Sequence, residues 1–178
     1  MNQSILYPYA LSLHVLGAMA LVAFYGIEWV VLSRLRQVTT AKRALEALAP
    51  FGAGRMLISI SMPLILVSGL YMTWAAWDWI ASWIVTGFAA MILLGALGGS
   101  VTGKHIRGLV ASQGADLAVR LPSMWSSFVI RVTVLAGLVF LMCAKPGLVG
   151  SVATMAISLA AGKWFAGRAP RPSVAPST

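Results

Sequence analysis

Residues 8–33 read PYALSLHVLGAMALVAFYGIEWVVLS, an apolar run whose only charged residue is Glu28. A helix needs about 20 predominantly apolar residues to cross the hydrocarbon core of a bilayer. The run is longer than this minimum, and it is followed at once by the basic pair Arg34 and Arg36. It therefore predicts a membrane-spanning helix that ends near Ser33.

Four further apolar segments follow this first span. They cover residues 57–76, 82–102, 125–143 and 147–165. Of the 178 residues 60% are hydrophobic and 10% are charged, whereas a soluble domain has roughly 25% charged residues. We therefore expect an all-α polytopic membrane bundle with four core helices and a fifth helix beside them. Residues 1–166 would form this single domain, and the Pro- and Ser-rich tail 167–178 would be disordered.

The connection between the first two spans contains a helix signal and a break signal. Residues 39–49 (TTAKRALEALA) fit a short amphipathic helix at the membrane surface. Pro50, Gly52 and Gly54 come next, and proline and glycine commonly end helices. We expect the chain to be interrupted there before the second span begins.

Basic residues are concentrated in alternate connections. The net charge is +9, and eleven of the basic residues follow spans one, three and five: Arg34, Arg36, Lys42, Arg43, Arg55, Lys104, Arg107, Arg120, Lys163, Arg168 and Arg171. The other connections contain only Lys145. By the positive-inside rule, we expect the protein in a bacterial-type inner membrane, with its N-terminus outside and its C-terminus in the cytoplasm. Such charges contact anionic lipid, so we expect the bilayer as a partner and no nucleic acid.

Glu28 and Arg131 are two charges inside apolar spans. Each lies about six residues from the basic end of its span, so both are at a depth of roughly 9 Å. A lone charge at membrane depth is unfavourable by several kcal/mol. We therefore expect a buried ion pair, which either fixes how the helices pack or binds a carboxylate or relays a proton.

His14 is the candidate ligand residue. At about 100° per residue it shares one helix face with Gly17, Leu21, Tyr25 and Glu28. That face should point into the bundle, because lipid would not tolerate Glu28.

Two roles are open for His14. A neutral imidazole with room beside Gly17 and Ala18 is able to ligate haem iron or copper. Alternatively, its ring hydrogen-bonds the second span, where the candidate partners are Ser59, Ser61 and, at the matching depth, Ser68. The methionines within the spans suggest a copper path, but they form no dense MxxM pattern, and methionine is also a common apolar filler: Met19, Met62, Met72 and Met91.

Small residues form stripes on two spans. Gly87, Gly95, Gly99 and Gly103 recur at multiples of four in the third span, and such glycines let helices pack closely in lipid. The fifth span has a similar stripe that includes Gly162. We expect both stripes to face helices, either within the chain or in a second copy or another subunit.

The order of several motifs resembles a superfamily of small inner-membrane bundles. The motifs are LH at 13–14, SGLY at 68–71 and LMCAKPG at 141–147, within a resemblance that covers roughly residues 8–148. The superfamily includes the HemJ-type protoporphyrinogen oxidases, the CopD copper-resistance proteins and a group of predicted integral-membrane proteins, to which the motifs are most similar.

The resemblance implies a function for His14. In HemJ-type proteins a first-span histidine is associated with haem, and the matching residue here is His14. Those proteins also use a lysine just after a tryptophan that begins span three, whereas here Trp83 is followed by Ile84. We expect a haem- or porphyrin-binding protein with a redox or cofactor-handling role. The alternatives are copper handling of the CopD type and an accessory subunit without a cofactor.

Overall fold

The computed structural model describes residues 5–77 and 81–168, and its regular elements in these ranges are all helical. Seven α-helices and one π-helical segment follow one another: α1 (Tyr7–Leu35), α2 (Ala41–Ala47), α3 (Ala49–Ala76), α4 (Ser82–Leu97), the π segment (Gly98–Thr102), α5 (Gly103–Ala111), α6 (Leu117–Ala144) and α7 (Leu148–Gly167). Most of the tail predicted to be disordered, and residues 78–80, lie outside the described residues.

Within these ranges, five helical stretches are long and apolar enough to cross a membrane: Tyr7–Leu35, Ala41–Ala76, Ser82–Ala111, Leu117–Ala144 and Leu148–Gly167. The predicted polytopic all-α bundle is therefore confirmed. α1 packs along α3, α4 lies against α6, and α7 packs mainly on α6. In the apolar window of α7 only 11% is buried, against 39% in α1 and in α6. The fifth helix accordingly lies at the side of the four others.

The short helix before the second span is confirmed as α2, and a break follows it, but the break lies at Leu48 and not at Pro50, Gly52 and Gly54. α3 already begins at Ala49 and continues through Gly52 and Gly54. Pro50 occupies its first turn, where a missing N–H breaks no helical hydrogen bond. A Cβ atom on Gly54 would lie 3.2 Å from the ring of Phe24. The glycine therefore allows α3 to approach α1 closely.

The prediction that one face carries all four glycines of the third span is also wrong. Gly87 is buried and Gly95 half-buried, but Gly99 is exposed, and a Cβ there would meet nothing within 4 Å. The reason is that residues four apart drift by about 40° around an α-helix, which places Gly99 about 120° from Gly87. A π segment also begins there, in which the N–H of Gly103 bonds the carbonyl of Gly98, five residues back. Its wider turn changes the helical phase. The packing face therefore ends at Gly95, and Gly98 takes the inward position.

The small residues of α7 pack within the chain. A Cβ atom on Gly162 would lie 2.9 Å from the backbone Cα of Ile130 on α6. On the opposite helix, a Cβ on Gly137 would overlap the Ser158 hydroxyl. The second stripe is thus an interface between α6 and α7, as predicted for small residues that let backbones approach.

We predict that Gly162→Leu lowers stability and Gly99→Leu does not. At Gly162 the new side chain meets the backbone of α6, which cannot move aside without distorting that helix. Overpacking of this kind lowers the free energy of unfolding by about 1–3 kcal/mol. Gly99 faces open space and serves as the matched control. Thermal unfolding of the purified variants in detergent measures the difference. Equal melting temperatures for the two variants would contradict the close α6–α7 packing.

Candidate functional site

The two ends of the bundle have different side chains. Arg34, Arg55 and Arg120 lie at one end, which we call the basic end; Trp77 and Lys145 lie at the other, which we call the aromatic end. The two sites that the sequence predicts are at different levels. Glu28 and Arg131 lie toward the basic end, and His14 lies toward the aromatic end.

Glu28 and Arg131 form the predicted ion pair. Each is 1% exposed, and Arg131 Nη1 donates to Glu28 Oε2 at 3.0 Å. Arg131 Nη2 donates to the second carboxylate oxygen, Oε1. Two parallel bonds between a guanidinium and a carboxylate are a strong, geometrically specific contact. The prediction from equal depth is therefore confirmed, and α1 is joined to α6.

The remaining polar atoms of the pair are bonded to two hydroxyl residues. Arg131 Nη2 also donates to Thr102 Oγ1 at 2.8 Å, and Nε donates to the Ser127 carbonyl at 3.2 Å. The Thr102 hydroxyl donates to Ser127 Oγ at 3.2 Å. Ser127 Oγ in turn donates to the carbonyl of Leu97 at 3.5 Å, at the start of the π segment. The network thus joins α1, α6 and the third span.

Thr102 and Ser127 were missed by the sequence analysis. The face on which Thr102 lies depends on the π segment, and no residue pattern in GGSVT (98–102) signals a π-helix. Its phase change turns Thr102 toward α6, where the side chain is 2% exposed. π-Helical turns often occur at functional sites, and here the turn supplies an oxygen to a buried cation.

His14 is half-buried against α3. Its Nδ1 lies 3.1 Å from the carbonyl oxygen of Ile65 and 3.2 Å from Ser68 Oγ. The predicted contact with Ser68 is thus confirmed. A carbonyl only accepts hydrogen bonds, so this contact places the proton on Nδ1. Nε2 then retains its lone pair, and no hydrogen bond to it is formed by the described residues.

Glycine makes room for the imidazole on α3. A Cβ atom on Gly69 would lie 3.3 Å from His14 Cε1 and 3.5 Å from Nδ1. Gly17 packs elsewhere than predicted: its own Cβ would meet Ile65 Cγ1 at 2.9 Å. The space beside the histidine is therefore bordered by Ala18 but not by Gly17.

A cavity of about 670 Å³ opens beside His14, between α1, α3, α4 and α6. Its lining is mostly apolar and includes the aromatic rings of Trp77, Trp83 and Phe88. The two roles considered for the histidine are thus combined, since the ring has both a hydrogen bond to α3 and a cavity next to it. The cavity also has soft sulfur atoms in its wall: Met19, Met72, Met91, Met142 and Cys143.

The helix arrangement explains why the cavity lies toward the aromatic end. α1 and α6 touch near the ion pair, where the rings of Tyr25 and Phe128 are 6.3 Å apart and those of Trp29 and Trp125 are 5.3 Å apart. Nearer the aromatic end, Val15 and Met19 of α1 and Val139 of α6 line the cavity and are also 48–64% exposed. The two helices therefore leave a gap there.

Within the described ranges no group of three or more His, Cys, Asp or Glu side chains is close enough to hold a metal ion. A metal in the cavity would need His14 together with methionine or cysteine sulfur, or a cofactor that supplies the other ligands. Among the described residues that line the cavity, His14 is the only histidine.

We predict that Glu28→Ala or Arg131→Ala destabilises the bundle by roughly 3–5 kcal/mol, because each leaves a buried charge unpaired. The double variant Glu28→Leu with Arg131→Met should recover most of this loss, since it removes both charges. The control is Asp116→Ala, which breaks a partly exposed pair with Arg120 at 3.0 Å and should cost about 1 kcal/mol. Unfolding by SDS titration measures all four. If Glu28→Ala and Arg131→Ala were as stable as Asp116→Ala, the ion pair would not be needed for the stability of the bundle.

Comparison with known proteins returns no match: no family model, no curated protein and no solved structure. The resemblance of LH, SGLY and LMCAKPG to the HemJ and CopD superfamily remains an expectation from these motifs.

Proposed function

We propose that this multi-pass membrane protein binds haem b or a related porphyrin in the cavity beside His14 and takes part in redox chemistry or cofactor handling. The observation that carries the proposal is the bond from His14 Nδ1 to the Ile65 carbonyl. It fixes the ring of His14, which lines a cavity of about 670 Å³, and it leaves the Nε2 lone pair without a hydrogen bond from the described residues.

The residues around the cavity fit such a group. Histidines that ligate metals commonly donate their other ring N–H to a carbonyl, which orients the ring and makes it a better ligand. Pockets for cofactors and drug-sized ligands are about 300–1,000 Å³ and mostly apolar, as this one is. Trp77, Trp83 and Phe88 offer flat faces, and Lys145 supplies a cation to the lining.

The chain's own residues would hold the group and exclude water from it. When bound, haem would supply one-electron chemistry. Ile65 and Ser68 fix the imidazole, and the apolar wall from α1, α3, α4 and α6 lowers the local dielectric. The ion pair keeps α1 against α6 at the opposite end of the site, about 21 Å along α1 from His14.

The proposal does not include protoporphyrinogen oxidation. The resemblance associates that reaction with a lysine after the tryptophan of span three, where this chain has Ile84.

For the location, we propose a bacterial-type inner membrane with the basic end in the cytoplasm, as the distribution of lysine and arginine indicates.

We predict that protein purified after haem-supplemented expression shows haem absorbance and that His14→Ala abolishes it. His105→Ala is the matched control, because His105 lies on α5 at the basic end and should leave the spectrum unchanged. Ser68→Ala should retain haem with a shifted reduced spectrum, since it alters the neighbour of the ligand ring. A colourless parent protein, or one whose colour survives His14→Ala, would refute the proposal.

Copper handling is the second candidate, because four methionines and Cys143 line the same cavity as His14. Thioether, thiolate and imidazole ligands suit Cu(I). We predict for this alternative that purified protein retains about one copper per chain and that Met91→Leu lowers the copper occupancy. Met56→Leu should not lower it, because Met56 lies on an exposed surface away from the cavity.

The third alternative is an accessory subunit. Purified protein that contains neither haem nor copper, and that co-purifies with other chains, would support it.

A further inference from the structure

The cavity beside His14 has an opening on the side of the bundle. Val15, Met19 and Val22 of α1 and Val139 of α6 line it, yet they are 48%, 64%, 54% and 52% exposed. Residues that border a cavity and also face outward mark its mouth. In a spanning bundle these side chains lie in the hydrocarbon region, and all four are apolar. The mouth therefore opens to lipid, and a lipid-soluble molecule has a continuous apolar path to His14.

Lys145 lies where this cavity reaches the aromatic end. It lines the cavity, and its Nζ is 4.3 Å from the centroid of Trp77 and 5.8 Å from that of Trp83. No carboxylate among the described residues pairs with it. The cavity wall described here contains no acidic side chain. Among the described residues that line the cavity, Lys145 is thus the one charged side chain, and its ammonium group attracts a negatively charged group.

The backbone at Lys145 supports a role for its side chain. Lys145 ends α6 in the left-handed conformation, with φ 47° and ψ 51°. Glycine is the favoured residue at such a helix end, because a Cβ atom is strained there. The next residue, Pro146, accepts hydrogen bonds at its carbonyl from Ser151 at 3.1 Å and from Ser82 at 3.5 Å. The connection is therefore fixed, and it holds the ammonium group at the cavity.

We propose that the cavity takes up a flat, lipid-soluble carboxylic acid from the leaflet at the aromatic end, through the gap between α1 and α6, and that Lys145 holds its carboxylate. The inference rests on the proposed function, since porphyrins with acidic side chains belong to this class. It goes further by assigning an entry route and an anion-binding residue. The apolar body of the ligand would lie against the aromatic rings, and its charged edge would remain at the membrane surface.

Binding of iron-free protoporphyrin tests the anion site, because this probe needs no iron ligand. The purified protein is placed in phosphatidylcholine vesicles and titrated with the diacid or with its dimethyl ester, and protein-free vesicles correct for partition into lipid. We expect the parent to prefer the acid by about fivefold, as an exposed ion pair allows. Lys145→Gly should remove the preference without harming the fold, because glycine relieves the left-handed strain. Lys145→Arg should keep it.

Uptake kinetics test the entry route. Val139→Trp narrows the gap and should slow binding of the diacid about tenfold, whereas Val152→Trp is the matched control. Val152 is 55% exposed on α7 and does not line the cavity. Equal rates for these two variants would overturn the route, and an acid preference that survives Lys145→Gly would overturn the anion site.

The outcomes also separate this inference from the proposed function. Haem absorbance that depends on His14, with no preference for acid over ester, would leave haem binding standing and refute the role of Lys145. An acid preference that depends on Lys145, without haem absorbance, would support the inference and refute haem ligation. A protein that binds neither probe would refute both.

Discussion

The buried contact between Glu28 and Arg131 is the constraint on which the rest of this bundle depends. Two charges in an apolar environment are tolerated only when their hydrogen-bonding capacity is satisfied along with their charge. Arg131 has five N–H donors, and four bonds use them: two to Glu28, one to Thr102 and one to the Ser127 carbonyl. α1, α6 and the third span must therefore meet at one depth, which sets their relative positions.

This meeting point also accounts for the π segment and the cavity. Thr102 reaches Arg131 because the helix widens between Gly98 and Thr102. With α1 and α6 joined toward the basic end, by the ion pair and by the contact of Tyr25 with Phe128, their other halves are free to diverge. The gap that results is bordered by apolar side chains and has His14 in its wall. A polar network at one depth thus leaves an apolar cavity at another.

The sequence predicted those features that depend only on position along a spanning helix. In a membrane, residue number translates into depth, so equal depth correctly paired Glu28 with Arg131 and His14 with Ser68. Features that depend on contacts between helices were not predictable in this way. The π turn from Gly98 to Thr102 is one such feature, since the Thr102 hydroxyl bonds Ser127 and Arg131 across the interface. The helical state of Gly54 follows from packing of α3 on α1 beside Phe24, which overrides its weak helix propensity.

The geometry of the network argues for a structural role of the ion pair over a role in ligand chemistry. Both carboxylate oxygens of Glu28 are bonded to Arg131, so a ligand carboxylate would have to displace a bonded partner. A proton path to the cavity would have to follow the shared face of α1, where Gly17 and Leu21 offer no side-chain hydrogen-bonding group and only Tyr25 carries a hydroxyl. The chain therefore separates two tasks along one helix. Glu28 fixes α1 in the bundle, and His14, about 21 Å away, faces the space that this fixation leaves open.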